Sequence, residues 1–352
     1  MEKIKVGWIG SGFVGQAAHL ERFIRFENSE IVGLAEIRPK LREMVGKSFG
    51  IPHLYDHHTK LLNESDCEAV VAIVHRRHAY DVAKDVLLSG KHLLIEKPMV
   101  ETYDQAKDLV EIAKNHGLSF CVGFMRRYDD GVCIFKKKLD EFRKNNELGE
   151  IISVRMFVEA GNDYCGIFPR LMTKEVKPDA PPVNIAPKWV PEKYKISYEQ
   201  FVNVCAHDIN LMRFLLDEIP KISNVNYRKE KFSYVSLEFK DFFGILEWGF
   251  RPDDPDGWRE GVEIRFQHGD MTLTMPPAFL KDTSSTVRIR KDSSNVTKRS
   301  QTILIDGNYS WAFENSDRAF VENIHTNKKA FTSGELCLDD YTIIDEIWRN
   351  IV

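Results

Sequence analysis

Short apolar runs alternate with helical patterns over the first third of the chain. The apolar runs are four to six residues long and rich in branched residues, which is typical of strands that are buried on both faces. Strand–helix alternation with short connections predicts right-handed βαβ units and a parallel sheet that helices cover on both sides. The predicted strands are Ile4–Ile9, Ile31–Ala35, Ala69–Val74, His92–Ile95 and Ser119–Gly123, and the predicted helices are Phe13–Phe26, Tyr80–Ser89 and Tyr103–Asn115.

The pattern changes after about residue 150, where several segments alternate apolar and polar residues. Period-two alternation predicts an antiparallel sheet with one solvated or partner-facing side. The stretch Lys177–Pro191 holds five prolines among fifteen residues and is expected to form an ordered, stiff loop. The predicted strands are Ile151–Val158, Phe232–Phe239, Gly244–Phe250, Val262–Phe266, Met271–Met275, Val287–Ile289 and Thr302–Ile305, and the predicted helices span 131–146, 206–217, 314–325 and 339–350.

We therefore predict an α/β protein whose domains are 1–123, with the parallel sheet, and 124–352, an α+β domain with a large open, mainly antiparallel sheet. The length of 352 residues agrees with two domains at ~150 residues each. Hydrophobic residues make up 43% and charged residues 29%, a globular balance, and the net charge of −4 argues against a nucleic-acid or anionic-membrane partner.

The six cysteines are scattered, with no CxxC pair and no Cys/His spacing typical of zinc. Isolated thiols favour a reducing cytoplasm and no metal site. No apolar run approaches the ~18 residues that a membrane span needs, and the first residues do not read as a signal peptide. We expect a soluble cytoplasmic protein.

A glycine-rich segment, GSGFVG at 10–15, follows the first predicted strand and opens a helix. In such a turn Gly10 allows the tight bend, Gly12 lets the backbone approach a pyrophosphate, and Gly15 lets the helix pack closely. With Phe13 and Val14, these glycines predict a dinucleotide site at the helix N-terminus.

Glu36 ends the second strand twenty-one residues after Gly15, where a carboxylate accepts hydrogen bonds from the adenosine ribose and repels a 2′-phosphate. Glu36 therefore favours NAD, whereas Arg38 leaves NADP open as an alternative. The bland alternative is a glycine turn without a ligand, with the acidic strand end facing water.

Lys97 lies just past the carboxyl end of the strand His92–Ile95, at the edge of a parallel sheet where ligands bind. Together with GSGFVG, the segments EKP (96–98) and GFMRRYD (123–129) make the whole chain resemble the glucose–fructose oxidoreductase / inositol dehydrogenase / MocA (Gfo/Idh/MocA) family. The resemblance implies a Rossmann domain, a second domain whose open sheet forms a homodimer or homotetramer interface, and a cofactor site that includes Glu96. It also implies that Lys97 contacts the substrate and transfers a proton.

The family's Asp-x-x-x-His signature is matched in part. His207 stands at the histidine and is expected to be the second catalytic residue, at the start of a helix. Asn203 replaces the usual aspartate; it cannot carry a proton at neutral pH and can only orient a substrate hydroxyl. Asp208 is turned ~100° away from His207 on a helix, so we do not expect it to substitute.

A second departure lies at His75-Arg76-Arg77-His78, where the family has Thr-Pro-Asn-x-x-His beside the nicotinamide. The resemblance assigns His78 and, by position, His75 to the cofactor site. The adjacent arginines either bind an anionic substrate group through their planar forks or form a solvated basic loop.

The resemblance further indicates Arg127 and Tyr128 as substrate contacts, and the proline-rich loop offers Asn184 and Trp189. The alternatives are an Arg-Arg pair that braces the fold and a tryptophan that belongs to the core. The reaction implied is hydride transfer between nicotinamide and a secondary alcohol of a sugar, cyclitol or sugar nucleotide. The competing functions are an NAD-binding sensor without turnover and an NAD-dependent glycoside hydrolase.

Overall fold

The computed structural model describes residues 2–161, 165, 167–176, 186–229, 232–250, 257–293 and 299–352. The chain divides into two compact units, each built from segments that are not continuous in sequence. Unit one comprises Met1–Phe124, Ile167–Glu199 and Phe313–Tyr341, and unit two comprises Met125–Gly166, Gln200–Ala312 and Thr342–Val352.

Unit one contains a six-stranded sheet in the order β3-β2-β1-β4-β5-β6, and every pairing in it is parallel. The predicted parallel sheet is thus confirmed. The strand order reverses at β1, since β2 and β3 lie on one side of it and β4 to β6 on the other. In open parallel sheets, ligands bind beyond the carboxyl ends of the strands at such a point. The strands are β1 (Ile4–Ile9), β2 (Ser29–Ala35), β3 (His53–Tyr55), β4 (Ala69–Ala72), β5 (His92–Ile95) and β6 (Phe120–Val122).

Five helices accompany this sheet between its strands. The one predicted at Tyr103–Asn115 has those bounds, because Thr102 and Gln105 form a capping box and Gly117, at φ +65°, ends it. The helices are α1 (a π-helical stretch Gly15–Leu20 continued by Glu21–Phe23), α2 (Pro39–Phe49), α3 (His58–Glu64), α4 (Arg76–Leu88) and α5 (Tyr103–Asn115).

Unit two contains an eight-stranded sheet in the order β14-β13-β12-β11-β7-β10-β9-β8. Among the pairings of the described strands, β7 with β10 is the parallel one, so the sheet is mainly antiparallel, as predicted. The strands are β7 (Ile151–Ala160), β8 (Lys221–Asn226), β9 (Ser233–Glu238), β10 (Phe243–Phe250), β11 (Arg259–Phe266), β12 (Gly269–Met275), β13 (Thr286–Lys291) and β14 (Gln301–Asp306).

Among the residues described after β6, the α-helices are α6 (Asp130–Asn145), α7 (Lys195–Leu216), α8 (Ala312–Thr326) and α9 (Leu338–Arg349). The prediction that a helix begins at 206 is wrong. Helix α7 starts eleven residues earlier because Tyr198, Phe201 and Cys205 extend its buried apolar stripe toward the N-terminus.

Candidate functional site

The glycine-rich turn joins β1 to α1 and has the geometry that its three glycines require. Gly10 has φ +86°, and a Cβ there would lie 2.3 Å from the carbonyl oxygen of Ile73. A Cβ at Gly15 would lie 2.8 Å from the Gly10 oxygen. A Cβ at Gly12 would meet no atom within 4 Å and would project into open space. The turn is therefore tight at both ends and open in the middle, which fits a dinucleotide pyrophosphate over Gly12.

Glu36 is buried at the end of β2, with an exposed fraction of 4%. Its Oε2 accepts from the Ser11 N–H and from the Ser11 hydroxyl, both at 2.9 Å. Arg38 donates to both carboxylate oxygens, from Nε at 2.8 Å and from Nη2 at 3.0 Å. Burial alone would raise the pKa of Glu36, but Arg38 and the Ser11 N–H lower it, so the carboxylate is ionised.

The acceptor capacity of Glu36 is filled in this structure. A carboxylate has about four lone-pair sites, and the Arg38 N–H adds a further hydrogen bond at 3.1 Å to those above. A ribose hydroxyl can bond to Glu36 only by displacing Arg38 or the Ser11 hydroxyl. Glu36, which suits the ribose hydroxyls of NAD, and Arg38, which suits the 2′-phosphate of NADP, are therefore paired with each other in one site.

The segment 167–176 forms hydrogen bonds with α1 and α2, which the sequence did not predict. Gln16 donates to the carbonyls of Ser11, at 2.7 Å, and Leu171, at 3.0 Å, and it accepts from the Leu171 N–H. Glu175 accepts from the N–H groups of Lys40 and Leu41 at the start of α2. A carboxylate at a helix N-terminus satisfies backbone donors that the sequence of α2 leaves without a cap.

Glu96 and Lys97 follow β5 at the same edge of the sheet as the glycine-rich turn. Both residues are half-buried. Glu96 Oε2 accepts from the Lys97 backbone N–H at 3.1 Å, and Oε1 accepts from His19 Nε2 at 3.1 Å. Gly123 ends the neighbouring strand β6, and a Cβ there would lie 2.5 Å from Glu96 Oε1. The Lys97 backbone is thus hydrogen-bonded to the Glu96 carboxylate. His19 and the absence of a side chain at Gly123 determine where that carboxylate lies.

The stretch 75–78 is not a loop: α4 begins at Arg76, and His75 is its N-cap residue. His75 and His78 are exposed, and Arg76 and Arg77 are half-buried in the first turn. Burial lowers the pKa of Arg76, and Glu199 opposes this effect. Nε and Nη1 of Arg77 are buried and form no hydrogen bond with any described residue. The prediction of a basic loop is therefore wrong, and the two arginines form the first turn of α4.

In unit two, Asn203 and His207 lie in the interior of α7, one turn apart on one face, rather than at its start. Asn203 is exposed and His207 is half-buried. Asp208 is 1% exposed, and burial together with Glu260 raises its pKa well above the usual value, although Arg126 opposes the change. Asp208 is thus a buried group beside the Arg126–Glu260 ion pair. Lys97 belongs to unit one, so its proximity to His207 stays a prediction.

The remaining predicted substrate contacts have these places. Arg127 is buried, donates from Nη2 to the Asn210 carbonyl at 2.7 Å and lies over the Phe214 ring. Tyr128 is half-buried. Trp189 packs edge-on against Tyr198 with ring centroids 6.2 Å apart. Asn184 lies outside the described residues. Their contacts with substrate stay predictions.

Sequence reasoning missed His19 and Asp317, which are buried in unit one and hydrogen-bonded to each other. A histidine one turn beyond Gly15 in a helix that packs on the sheet was the available signal for His19. Asp317 offers no such signal because it lies 298 residues further along the chain. Within the described ranges, no group of three or more His, Cys, Asp or Glu side chains has a metal-binding arrangement.

The helices were also compared with the length and hydropathy that a bilayer requires. None of those in the described part of the chain is long and apolar enough to cross a membrane.

Comparison with a family model gives a match in the N-terminal part of the chain. Residues 4–124 match the model of an oxidoreductase family with an NAD-binding Rossmann fold. Inositol 2-dehydrogenase/D-chiro-inositol 3-dehydrogenase of Lacticaseibacillus casei is 34% identical over 142 residues, or 39% of this chain and 40% of that protein. Glucose-6-phosphate 3-dehydrogenase of Bacillus subtilis is 30% identical over 154 residues, or 43% of this chain and 41% of that protein. The matches span about two fifths of these relatives' length.

Solved structures show the same fold along nearly the whole chain. A 3-ketoreductase from Actinomadura kijaniata, in complex with TDP-benzene and NADP, superposes with a TM-score of 0.73 at 17% identity. The superposition covers 98% of this chain and 97% of that one. The glycine-rich turn, the parallel sheet in the order β3-β2-β1-β4-β5-β6 and the family match agree. Residues 4–124 are therefore similar to the NAD-binding Rossmann fold of the Gfo/Idh/MocA oxidoreductase family.

Proposed function

We propose that the chain is an NAD(P)-dependent oxidoreductase acting on a secondary alcohol or ketone of a sugar, cyclitol or sugar nucleotide, with Lys97 as proton donor and acceptor. The observation that carries this proposal is the position of Lys97 at the carboxyl end of β5, at the sheet edge where the glycine-rich turn follows β1. In this proposal 1–123 is the dinucleotide-binding domain and 124–352 is the substrate domain.

The family's cofactor fits the residues present, because the space beside Gly12 is open and the turn on either side is tight. The residues that would hold it are in the turn 10–15, with Glu36 or Arg38 at the adenosine end and Glu96, His75 and His78 toward the nicotinamide. When bound, nicotinamide supplies the hydride acceptor for oxidation and the hydride donor for reduction.

Lys97 supplies the proton route. Its neutral amine takes the proton of the substrate hydroxyl during oxidation, and its ammonium returns that proton to the oxygen during reduction. His207 either exchanges this proton with Lys97 or binds a neighbouring hydroxyl. Asn203 lies one helical turn away on the same face of α7, and its amide would hold a further hydroxyl without transferring a proton.

The relatives support a sugar-like substrate, since they are named as dehydrogenases of inositol and of glucose 6-phosphate. Arg77 supports a substrate with an anionic group: two of its nitrogens are buried and form no hydrogen bond with the described residues. A buried donor without a protein partner is costly unless a ligand or water accepts from it. Arg127, Tyr128, Asn184 and Trp189 complete the proposed set of substrate contacts.

The proposed function is tested by incubating the protein with NAD or NADP and a panel of myo-inositol, glucose, glucose 6-phosphate and a nucleotide-linked hexose. We expect the nicotinamide absorbance to change with at least one of these alcohols. Coenzyme binding without such a change on any of them would favour a sensor. Release of a leaving group without net coenzyme change would favour a glycoside hydrolase. Calorimetry that detects no affinity for either coenzyme would contradict all three.

Glu36→Gln is expected to shift coenzyme preference from NAD toward NADP. The amide keeps an acceptor for the Ser11 N–H but loses the charge that repels a 2′-phosphate and holds Arg38. A hydrogen bond to a charged group contributes about 1.5–3 kcal/mol, so the ratio of the two Kd values should change by about 10- to 100-fold. Titration calorimetry with each coenzyme measures the change.

Arg38→Gln is the matched control, because it releases Glu36 without removing the negative charge. We expect it to weaken NADP binding and to leave NAD binding unchanged or tighter. Equal effects of the two substitutions on both coenzymes would show that neither side chain faces the ribose.

We also propose that the chain forms a homodimer or homotetramer through the eight-stranded sheet. Apolar side chains on two of its strands are exposed in the single chain, Phe243 on β10 and Leu304 on β14, and the pairing registers place both on one face of the sheet. Exposed apolar positions on a regular sheet face are suited to a second copy of the same sheet.

A further inference from the structure

Three ionisable side chains, two of them buried and one half-buried, form a cluster next to the end of β5, which Lys97 follows. His19 is 2% exposed and Asp317 is fully buried. His19 Nδ1 donates to Asp317 Oδ1 at 2.9 Å and lies 3.1 Å from Oδ2, while Nε2 donates to Glu96 Oε1 at 3.1 Å. Both ring nitrogens therefore face carboxylates, one from α8 and one from the end of β5.

The imidazole of this cluster is a cation at neutral pH. Burial alone would lower the pKa of His19, but Asp317 and Glu96 outweigh it and raise the pKa to about 10. The other charged groups nearby are Glu314, which is on α8 and also raises the pKa of Asp317, and Arg22, which is paired with Glu314 at 3.2 Å. The Phe313 ring packs edge-on against the imidazole and keeps it in place.

A buried charge cluster gives the core no general advantage, because apolar residues of similar volume often stabilise a fold as well or better. Its position is more informative than its energy. His19 ties the helix after the glycine-rich turn to Glu96, whose Oε2 accepts from the Lys97 backbone N–H at 3.1 Å. The space for Glu96 exists because residue 123 is glycine. The hydrogen bonds of the cluster therefore extend to the backbone of Lys97, the residue proposed to transfer the proton.

We propose that His19, held by Asp317, is a positioning residue for Lys97: it fixes the Glu96 carboxylate, whose other oxygen fixes the Lys97 backbone. This inference rests on the proposed function, because that function gives Lys97 its role in proton transfer. A histidine that only fills the core would affect stability and leave Lys97 in place.

The test uses His19→Gln, with His325→Gln as the matched control on α8. His325 bonds to the Asn28 carbonyl at 3.3 Å and does not touch the cluster. In the coenzyme-free protein, hydrogen–deuterium exchange of the peptide containing the Lys97 amide is measured by mass spectrometry. We expect exchange at Lys97 to become at least about tenfold faster in His19→Gln and to stay unchanged in His325→Gln.

Turnover with NAD and the most active alcohol of the panel gives the second measurement. A misplaced catalytic group costs about 10- to 100-fold in kcat, so His19→Gln should show such a loss with little change in the Kd of NAD. Glu96→Gln, which keeps the size of the side chain, should show the same loss, and the double variant should lose no more than either single one. Glu96→Gln carries the test if His19→Gln does not fold.

A pH series separates the charged cluster from simple packing. Because the folded protein holds the His19 proton more tightly than the unfolded chain does, this group stabilises the fold below pH 6.5, and the stabilisation is lost as pH rises toward about 10. The thermal midpoint of the wild type should therefore fall more steeply over this range than that of His19→Gln.

Wild-type exchange at Lys97 in both His19→Gln and Glu96→Gln would overturn the inference, even if the thermal midpoint falls. The proposed function fails by a different result, namely wild-type turnover after Lys97→Met. The exchange measurement needs neither coenzyme nor substrate, so its result is independent of that outcome.

Discussion

Lys97→Met is expected to lower kcat by about 10²- to 10⁴-fold, the contribution that a positioned general acid–base group makes. Methionine keeps the approximate length and the apolar stem of the side chain but has no proton to give or take. The backbone hydrogen bond from residue 97 to Glu96 is unaffected by the change of side chain. Coenzyme binding should therefore persist while turnover is lost.

Lys91→Met provides the control at the opposite end of the same strand. Lys91 lies directly before β5, at the strand's amino end, and its Nζ donates to the Cys67 carbonyl at 2.6 Å. Because ligands bind at the carboxyl ends of parallel strands, this substitution should leave kcat unchanged. Initial rates and coenzyme titrations on both variants make the comparison. Wild-type turnover in Lys97→Met, or an equal loss in Lys91→Met, would contradict the role assigned to Lys97.

The elements that the sequence predicts well are those with a strong local signal. The helix Tyr103–Asn115 has a capping box before it and a glycine after it, and its predicted bounds are those of the structure. The pattern does not predict the strands β3 and β8, because none of their residues is buried and they carry no buried apolar run. Helix α4 was placed too late because it begins with two arginines, whose charge is unfavourable at the positive end of a helix.

In the candidate site, too, features with a local sequence signal could be predicted, and contacts between distant segments could not. The tight bend at Gly10 and the close packing at Gly15 follow from spacing alone and are seen in the structure, whereas the pyrophosphate beside Gly12 stays a prediction. Contacts between distant segments leave no trace in a local pattern: Asp317 meets His19 across 298 positions, and Glu175 caps α2 from 135 positions away. The sequence also does not show that the hydrogen-bond acceptors of Glu36 are filled, since this depends on where Arg38 and Ser11 direct their donors.

Gly10→Ala is expected to lower the stability of the fold and Gly12→Ala to weaken coenzyme binding, although both add one methyl group to the same turn. At Gly10 the backbone has φ +86°, and the new Cβ would lie 2.3 Å from the Ile73 carbonyl oxygen. A left-handed conformation costs a non-glycine residue about 1–2 kcal/mol, and overpacking adds about 1–3 kcal/mol. Gly10→Ala should therefore lose roughly 2–5 kcal/mol of unfolding free energy.

At Gly12 the added methyl meets no atom within 4 Å, so the fold should keep its stability. The same methyl occupies the space proposed for the pyrophosphate, where overpacking by about 1–3 kcal/mol corresponds to roughly a 10- to 100-fold weaker Kd for NAD. Urea unfolding of the coenzyme-free proteins and calorimetric titration with NAD measure the two effects separately. A Gly12→Ala protein that binds NAD as the wild type does would place the phosphates elsewhere, and the turn would then not be the pyrophosphate site.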